Sequence, residues 1–302
     1  YYLYQKIEDY KSLSTITDWL KRENREENIY ILQKLICQAK ESNNQLLYIF
    51  GLLLSVNNEI DYESYIELKS IFFYRSINIS KDLQHTIWMG LLNYISRKQV
   101  YKDESLGSEV YELFRECYNR NLLLTQSGQN HIWLGGFIVY ELDYGSPARA
   151  REILLESIDL VDIQQRDSCR MLCLARIEFA EKNYSQALVF VDQGSTRVSL
   201  YYFPLFKTVL LKILVSMENE SRVQRERENL YKYLHENKKI DSGHRQRFML
   251  FYKYIDYLRV ERYKAMSAYR RRKLKQALDS SAPYFQDKLW MQRRLVELEG
   301  EE

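Results

Sequence analysis

Apolar residues recur along this chain at the spacing of an α-helix, and short polar stretches separate each apolar stripe from the next. The stripe from Trp88 to Ile95 follows the i, i+3, i+4, i+7 spacing that places side chains on one helix face. Further stripes begin at Ile29, Val110 and Phe248. No run of alternating apolar and polar residues indicates a strand. Only 10 glycines and 3 prolines are available for the tight turns of β-sheet proteins. The sequence therefore predicts an all-α fold.

Polar or helix-capping clusters divide the chain into segments of helical length. They fall at residues 41–44, 57–61, 78–82, 145–147, 181–183, 217–221, 237–242 and 279–283. The segments between them predict helices of roughly 12 to 20 residues, as in antiparallel helical hairpins. Ser146 before Pro147 predicts an N-cap followed by proline in the first helical position. We expect about 15 helices in all.

Residues 168–194, SCRMLCLARIEFAEKNYSQALVFVDQG, have the clearest two-helix pattern. Its marker residues are Leu174 and Ala175 in the first helix, Phe179 near its end, and Tyr184 and Ala187 in the second helix. The small residues Ala175 and Ala187 would let the two helices approach closely. In this order of residues the segment resembles a tetratricopeptide repeat. The resemblance implies a right-handed α-solenoid of antiparallel helix pairs.

The resemblance is strongest in the middle of the chain and weaker at both ends. Gly145, Ala150, Ile153 and Leu154 are similar to the turn and second helix of a preceding unit. The segment 202–233 keeps the length of a unit, but Lys212 falls near the position that Ala175 holds. We therefore predict divergent helical-hairpin repeats over 1–120 and tetratricopeptide-like repeats over 121–236. Basic helices over 237–302 are expected to continue the same solenoid.

Sequence motifs of common enzyme classes are missing. The chain has no GxGxxG, no GxxxxGK[ST], no GxSxG and no HExxH. Gly135 and Gly136, its only adjacent glycines, lie in an apolar helical pattern, where close helix packing or a local kink explains them better than a ligand does. The sequence predicts a protein that is not an enzyme and needs no cofactor.

The cysteines offer one alternative, a metal site. Cys169 and Cys173 are the only pair of thiols at i, i+4, and together they could supply half of a zinc site. No second pair stands at a recognisable spacing, and the histidines are isolated in sequence. The favoured interpretation is that no metal is bound and that all four cysteines are reduced thiols of the helical core: Cys37, Cys117, Cys169 and Cys173.

Charge is distributed unevenly along the chain. Residues 1–200 carry a net charge of −5 and residues 201–302 a net charge of +8. The candidate basic patch comprises Arg245, Arg247, Arg270, Arg271, Arg272, Lys273 and Lys275. Such a patch could bind phosphates of a nucleic acid or an acidic partner. However, the six consecutive residues 270–275 would point to all sides of a helix and could not form a one-sided basic stripe. A solvated helix surface is therefore the favoured interpretation.

Stacked helix pairs indicate a scaffold that binds a protein or peptide partner on its first helices. The candidate partner-binding residues are polar positions on predicted first helices: Asn130, Arg170, Arg176, Lys207 and Lys212. Tetratricopeptide proteins that clamp a carboxylate use Lys and Asn at fixed first-helix positions. Here Leu172 and Arg176 hold those positions, which argues against that mode.

Two other functions remain open at the level of sequence. One is a sensor or regulatory domain of a larger protein, because the chain begins with Tyr1, not Met, inside a helical pattern. The other is nucleic-acid binding by the basic C-terminal end. The most apolar run, residues 46–56, is shorter than the roughly 18 to 20 residues that cross a bilayer. We expect no membrane partner and a cytoplasmic location.

Overall fold

The computed structural model describes residues 25–58, 62–75, 79–98, 105–124, 129–195, 201–240, 242–280 and 287–300. These residues form 15 α-helices and no strand, which confirms the all-α prediction and the expected helix number. The helices are α1 (Arg25–Glu41), α2 (Gln45–Asn57), α3 (Tyr62–Ser70), α4 (Lys81–Lys98), α5 (Ser105–Asn119), α6 (Asn130–Tyr144), α7 (Pro147–Ser157), α8 (Ile163–Ala180), α9 (Tyr184–Ser195), α10 (Tyr202–Ser216), α11 (Glu220–Glu236), α12 (Ser242–Ile255), α13 (Val260–Lys264), α14 (Ala268–Ser280) and α15 (Lys288–Gly300). Short 3₁₀ helices follow α7 (Ile158–Leu160) and α12 (Asp256–Leu258), and a π-helical turn (Ile71–Arg75) follows α3.

The predicted breaks coincide with helix ends, and polar side chains cap several of the following helices. Ser146 accepts a hydrogen bond from the backbone N–H of Arg149 (3.2 Å), with Pro147 in the first position of α7, as predicted. Asn44 caps α2 through Leu47 N–H (3.1 Å). Each cap satisfies a backbone donor that the first turn of a helix leaves without an intrahelical partner.

One type of turn recurs between helices. Asn43, Lys182 and Glu218 have φ values of 54°, 62° and 55°, in the left-handed region. The N–H of the asparagine that follows each of them bonds to a carbonyl five residues back, over 2.8 to 2.9 Å. This is the hydrogen bond of a Schellman motif, in which one left-handed residue ends a helix. The same backbone conformation therefore occurs in three connections: α1–α2, α8–α9 and α10–α11.

The first of two compact units contains residues 1–98 and 116–122. In its described part, α2 packs on α1, α3 and α4, and α3 packs on α4. Leu53, Leu68 and Trp88 are fully buried, and Tyr65 stacks on Tyr94 with 4.7 Å between ring centroids. The apolar stripe predicted from Trp88 to Ile95 thus faces the core of this unit.

The second unit contains residues 99–115 and 123–302. Helix α8 packs on α6, α7, α9 and α10, and α10 packs on α8, α9, α11 and α12. Thus α6, α8, α10 and α12 follow one another in contact, with α7, α9 and α11 each packing on the two members of the row that flank them in sequence. Because α10 has neighbours on most sides, it is apolar nearly all around, with Leu211 and Ile213 fully buried.

The contact between α8 and α9 is the most extensive helix pair of the described residues. Ala175 on α8 and Ala187 on α9 have no exposed surface. Gly136 on α6 lies against the ring of Phe114, which itself stacks on Phe137 at 5.7 Å. Small residues therefore sit where helices approach closely, which supports the packing interpretation of the adjacent glycines.

Candidate functional site

Two of the predicted partner-binding residues hold helices of the second unit together. Asn130, at the start of α6, is buried and its Nδ2 donates to the carbonyl of Leu160 over 2.8 Å. Arg176 on α8 is also buried, and its Nη1 donates to the carbonyl of Gly135 on α6 over 3.4 Å. Both side chains are engaged within the chain, and their role in partner binding stays a prediction.

Lys207 and Arg170 differ in how much of each side chain is open to a partner. The Nζ of Lys207 lies 2.5 Å from Oε2 of Glu226, which joins α10 to α11. Burial of the Glu226 carboxyl is the largest single effect and opposes its ionisation, but the hydrogen bond and charge of Lys207, together with Asn229 and Arg225, outweigh it, so the pKa of Glu226 is lowered. Arg170 on α8 keeps 39% of its side chain exposed and lies 4.0 Å from Asp159. Among the five candidates, Arg170 is the side chain most open to a partner.

Lys212, the fifth candidate, contacts the last helix of the chain. Its Nζ lies 2.6 Å from Oδ1 of Asp287, the residue before α15, and only 12% and 13% of the two side chains are exposed. The ammonium group also lies 5.2 Å from the ring centroid of Phe179 and 5.8 Å from that of Trp290. A cation among two aromatic faces and one carboxylate is a favourable arrangement for Lys212.

Trp290 and Arg293 extend this contact along α15. The Trp290 ring meets the ring of Phe179 on α8 with 6.2 Å between centroids. Arg293 Nη2 donates to the carbonyl of Asp143 on α6 over 3.0 Å, and its Nη1 lies 3.5 Å from the Asp143 carboxylate. Burial raises the pKa of Asp143, while the positive charges of Lys212 and Arg293 act against this rise. We call Asp143, Phe179 and Lys212 the α15-facing surface.

The remaining contacts of α15 are of a different kind. Helix α15 packs on α14 and on the 3₁₀ helix Asp256–Leu258. Its buried apolar residues are Met291, Leu295 and Leu298, which recur at helical spacing. Helix α15 is therefore anchored by an apolar stripe and presents charged and aromatic side chains to α6, α8 and α10.

The basic run on α14 does not form one continuous surface. Arg271 stacks on the ring of Tyr263 at 4.8 Å and donates to the carbonyl of Met266 over 3.2 Å. Lys275 pairs with Glu299 at 3.3 Å. The exposed members of the run are Arg270, Arg272, Lys273 and Lys275. These four are the part of the candidate patch on α14 that faces solvent.

The two other members of the candidate basic patch lie on α12. Arg245 donates through Nη2 to the carbonyls of Asn237 and Ile240, over 3.0 and 3.2 Å. Arg245 thereby ties the start of α12 to the connection that precedes it. Arg247 is exposed.

Three cysteines are buried, but the prediction of a fourth core thiol was wrong. Cys117, Cys169 and Cys173 are buried free thiols, whereas Cys37 is exposed on α1. The apolar stripe of α1 is short: among the residues of α1 whose burial the structure describes, only Leu32 and Ala39 are buried, and Cys37 faces solvent. Burial raises the pKa of Cys117 well above its usual range. Among the described residues, no group of three or more His, Cys, Asp or Glu side chains is placed to hold a metal ion.

Comparison of the chain with protein-family models, with curated proteins and with solved structures finds no match. None of the helices in the described part of the chain is both long and apolar enough to pass through a bilayer.

The sequence analysis named Lys212 as a candidate but not the charged residues of the contact between α15 and the helices α6 and α10. Asp143, Asp287 and Arg293 were not selected, although Asp287, Trp290 and Arg293 recur every three residues and so share a helix side. That spacing was the only available signal. It identifies a face of α15 but not the helices that the face contacts.

Proposed function

We propose that this chain is a non-catalytic scaffold of stacked helix pairs, a right-handed, tetratricopeptide-like solenoid that binds a protein or peptide along its first helices. The observation that carries the proposal is the row formed by α6, α8, α10 and α12, with α7, α9 and α11 bridging successive members. A row of this kind lines up side chains of successive first helices, which suits an extended or helical partner.

The repeated turn gives independent support. Lys182 and Glu218 follow α8 and α10 in the same left-handed conformation, and Asn183 and Asn219 lie directly before α9 and α11. Equivalent turns at equivalent places are expected when a chain is built from repeated units. The pair Ala175 and Ala187 lies within one such unit.

Capture of the partner with matched charge-reversal variants tests the proposal. Arg170 on α8 and Arg149 on α7 have similar side-chain exposure, 39% and 44%. We expect a protein captured from a lysate of the source organism to be lost with Arg170→Glu and kept with Arg149→Glu, as quantified by mass spectrometry. Equal capture by both variants, or no protein enriched by the unchanged chain, would contradict the scaffold function.

A nucleic acid or acidic partner on α14 is the second candidate, because Arg270, Arg272 and Lys273 are exposed together on that helix. Binding of a labelled oligonucleotide should weaken steeply as salt rises, since counterions are released from the phosphates. The triple change to Gln should weaken binding and reduce the salt dependence, whereas Arg149→Gln should do neither. Affinity that is absent at low salt, or independent of salt, rejects this candidate.

A further inference from the structure

Helix α15 has two sides with different chemistry. Its apolar stripe, Met291, Leu295 and Leu298, is buried, and the helix packs on α14 and the 3₁₀ helix Asp256–Leu258. The other side meets α6, α8 and α10 through two ion pairs and one aromatic contact. An apolar stripe is sufficient to fix a helix to its hairpin neighbour, so the second set of contacts requires its own explanation.

The α15-facing surface is complementary to α15 in the order of its charges. Asp287 meets Lys212 on α10, Trp290 meets Phe179 on α8, and Arg293 meets Asp143 on α6. The three α15 positions are three residues apart, so one helix can present all of them together. Reversing the direction of such a helix would place Asp287 near Asp143 and Arg293 near Lys212. The surface therefore specifies both the chemistry and the direction of a bound helix.

These contacts resemble a binding interface more than a core. Trp and Arg are the residues most enriched at interface hot spots, and ion pairs at interfaces favour one partner over others. Arg293 keeps 51% of its side chain exposed, so its pair with Asp143 contributes little to folding. A helix that takes the place of α15 must also cover the apolar surface on which Met291, Leu295 and Leu298 are buried, so it must be amphipathic.

We infer that the α15-facing surface is a binding site for an amphipathic helix of a partner protein. That helix carries a carboxylate, a tryptophan three residues later and an arginine three residues after that, and it takes the place that α15 occupies within the chain. The inference rests on the proposed scaffold function and names the chemical class of the partner. Because α15 is tethered beside the surface, it competes at high effective concentration and lowers the apparent affinity of the partner.

A peptide of residues 287–300, DKLWMQRRLVELEG, is a probe with the required chemistry. Its binding to the full chain is measured by fluorescence anisotropy of a labelled form. Trp290→Ala in the chain removes the contact with Phe179 and loosens the resident helix. We expect the Trp290→Ala chain to bind the peptide of native sequence at least about tenfold more tightly than the native chain does. The same affinity for both chains would overturn the inference.

Should Trp290→Ala prevent folding, as judged by circular dichroism, the half-exposed Arg293→Glu serves as the second loosening variant. It breaks the ion pair with Asp143 and leaves the apolar stripe of α15 intact. The same gain in peptide affinity is expected. A folded Arg293→Glu chain that gains no affinity for the peptide would overturn the inference, just as a folded Trp290→Ala chain without such a gain would.

A charge exchange identifies the surface that the peptide occupies. In the loosened chain, Lys212→Glu should weaken the peptide about tenfold or more, and a peptide with Asp287→Lys should recover that loss. Lys232→Glu on α11, an exposed lysine that pairs with Glu236, is the matched control and should leave binding unchanged. Equal effects of Lys212→Glu and Lys232→Glu, or no recovery with the altered peptide, would show that the peptide binds elsewhere.

The outcomes separate this inference from the function on which it rests. A partner that is captured through Arg170 but is not displaced by the peptide overturns the helix-binding site and leaves the scaffold function standing. Peptide binding with the expected charge exchange, together with no captured partner, contradicts the scaffold function instead. Loosened chains that dimerise in sedimentation, and that the peptide dissociates, would make the occupant a second copy of this chain and overturn the assignment to a partner protein.

Discussion

At the scale of single residues, the positions that the chain constrains most are small or charged side chains between helices. Ala175 on α8 and Ala187 on α9 are fully buried, and the two helices pack on each other. Arg176, Lys207 and Lys212 each join two elements through a polar contact. The fold of the second unit thus depends on residues that carry little apolar surface of their own.

Ala175→Leu and Ala187→Leu should each destabilise the chain by about 1 to 3 kcal/mol, because a larger side chain would force α8 and α9 apart. Urea unfolding followed by circular dichroism measures the effect. Ala148→Leu, on the exposed side of α7, is the control and should change the free energy of unfolding little. Unchanged unfolding of both core variants would mean that the repeat register predicted from the sequence is wrong.

The contact between Lys207 and Glu226 should make stability depend on pH in a defined direction. The pKa of Glu226 is lowered from its usual 4.5 in the folded chain, so its contribution is fully present above that value. The contribution is lost as the pH falls through the lowered folded-state pKa, where the carboxylate becomes protonated.

Glu226→Gln should therefore cost stability at about pH 7 and much less at about pH 3, measured as the difference in free energy of unfolding from the unaltered chain. Glu152→Gln, at an exposed pair with Arg149, is the control and should cost little at either pH. A cost of Glu226→Gln that stays constant over this range would show that the ion pair is not its source.

At the scale of elements, the ends of the helices are the part that the sequence predicts best. The breaks at 41–44, 181–183 and 217–221 coincide with turns because capping residues and left-handed residues act locally. The apolar stripes predict buried faces for the same reason, since spacing along a helix fixes which side chains share a face. Cys37 fails because a short stripe on α1 leaves its flanking positions exposed.

The turns also hold unfavourable residues that glycine would relieve. Lys182 and Glu218 adopt φ values of 62° and 55°, where a side chain beyond glycine costs roughly 1 kcal/mol. Lys182→Gly and Glu218→Gly should each stabilise the chain by up to about 1 kcal/mol, as measured by thermal unfolding.

Asn43→Gly and Asn121→Gly are the matched controls for these turns. Both asparagines have φ values of 54°, but asparagine tolerates this region better than lysine or glutamate does. We expect a smaller gain from them. Loss of stability on placing glycine at 182 and 218 would contradict the turn geometry.

At the scale of the molecule, the packing of α15 is the feature that no local pattern could predict. The Nη1 atom of Arg293 lies 3.5 Å from Oδ1 of Asp143, although the two residues are far apart in sequence. Three residues at helical spacing identify a face of α15, but only the folded chain shows that α6, α8 and α10 receive it. The same distance in sequence explains why the candidate residues were found individually and not as one surface.

Hydrogen exchange should report the order of protection within the second unit. Helix α10 packs on α8, α9, α11 and α12, whereas α14 packs mainly on α15 and exposes most of its basic residues. We expect amides of α10 to exchange most slowly and those of α14 much faster, because local opening of α14 exposes less buried surface. Exchange of α14 as slow as that of α10, detected by mass spectrometry, would contradict this packing order.

The shared turn geometry makes parts of the chain interchangeable. Asn183 and Asn219 both follow a left-handed residue, and they lie directly before α9 and α11. A join from Asn183 directly to Glu220 would keep one complete turn of this type and remove the segment between two such turns, α9 with α10. A second copy of that segment could be added at the same place. The number of helices in the row could therefore change by one two-helix segment at a time, with a connection that the chain already uses.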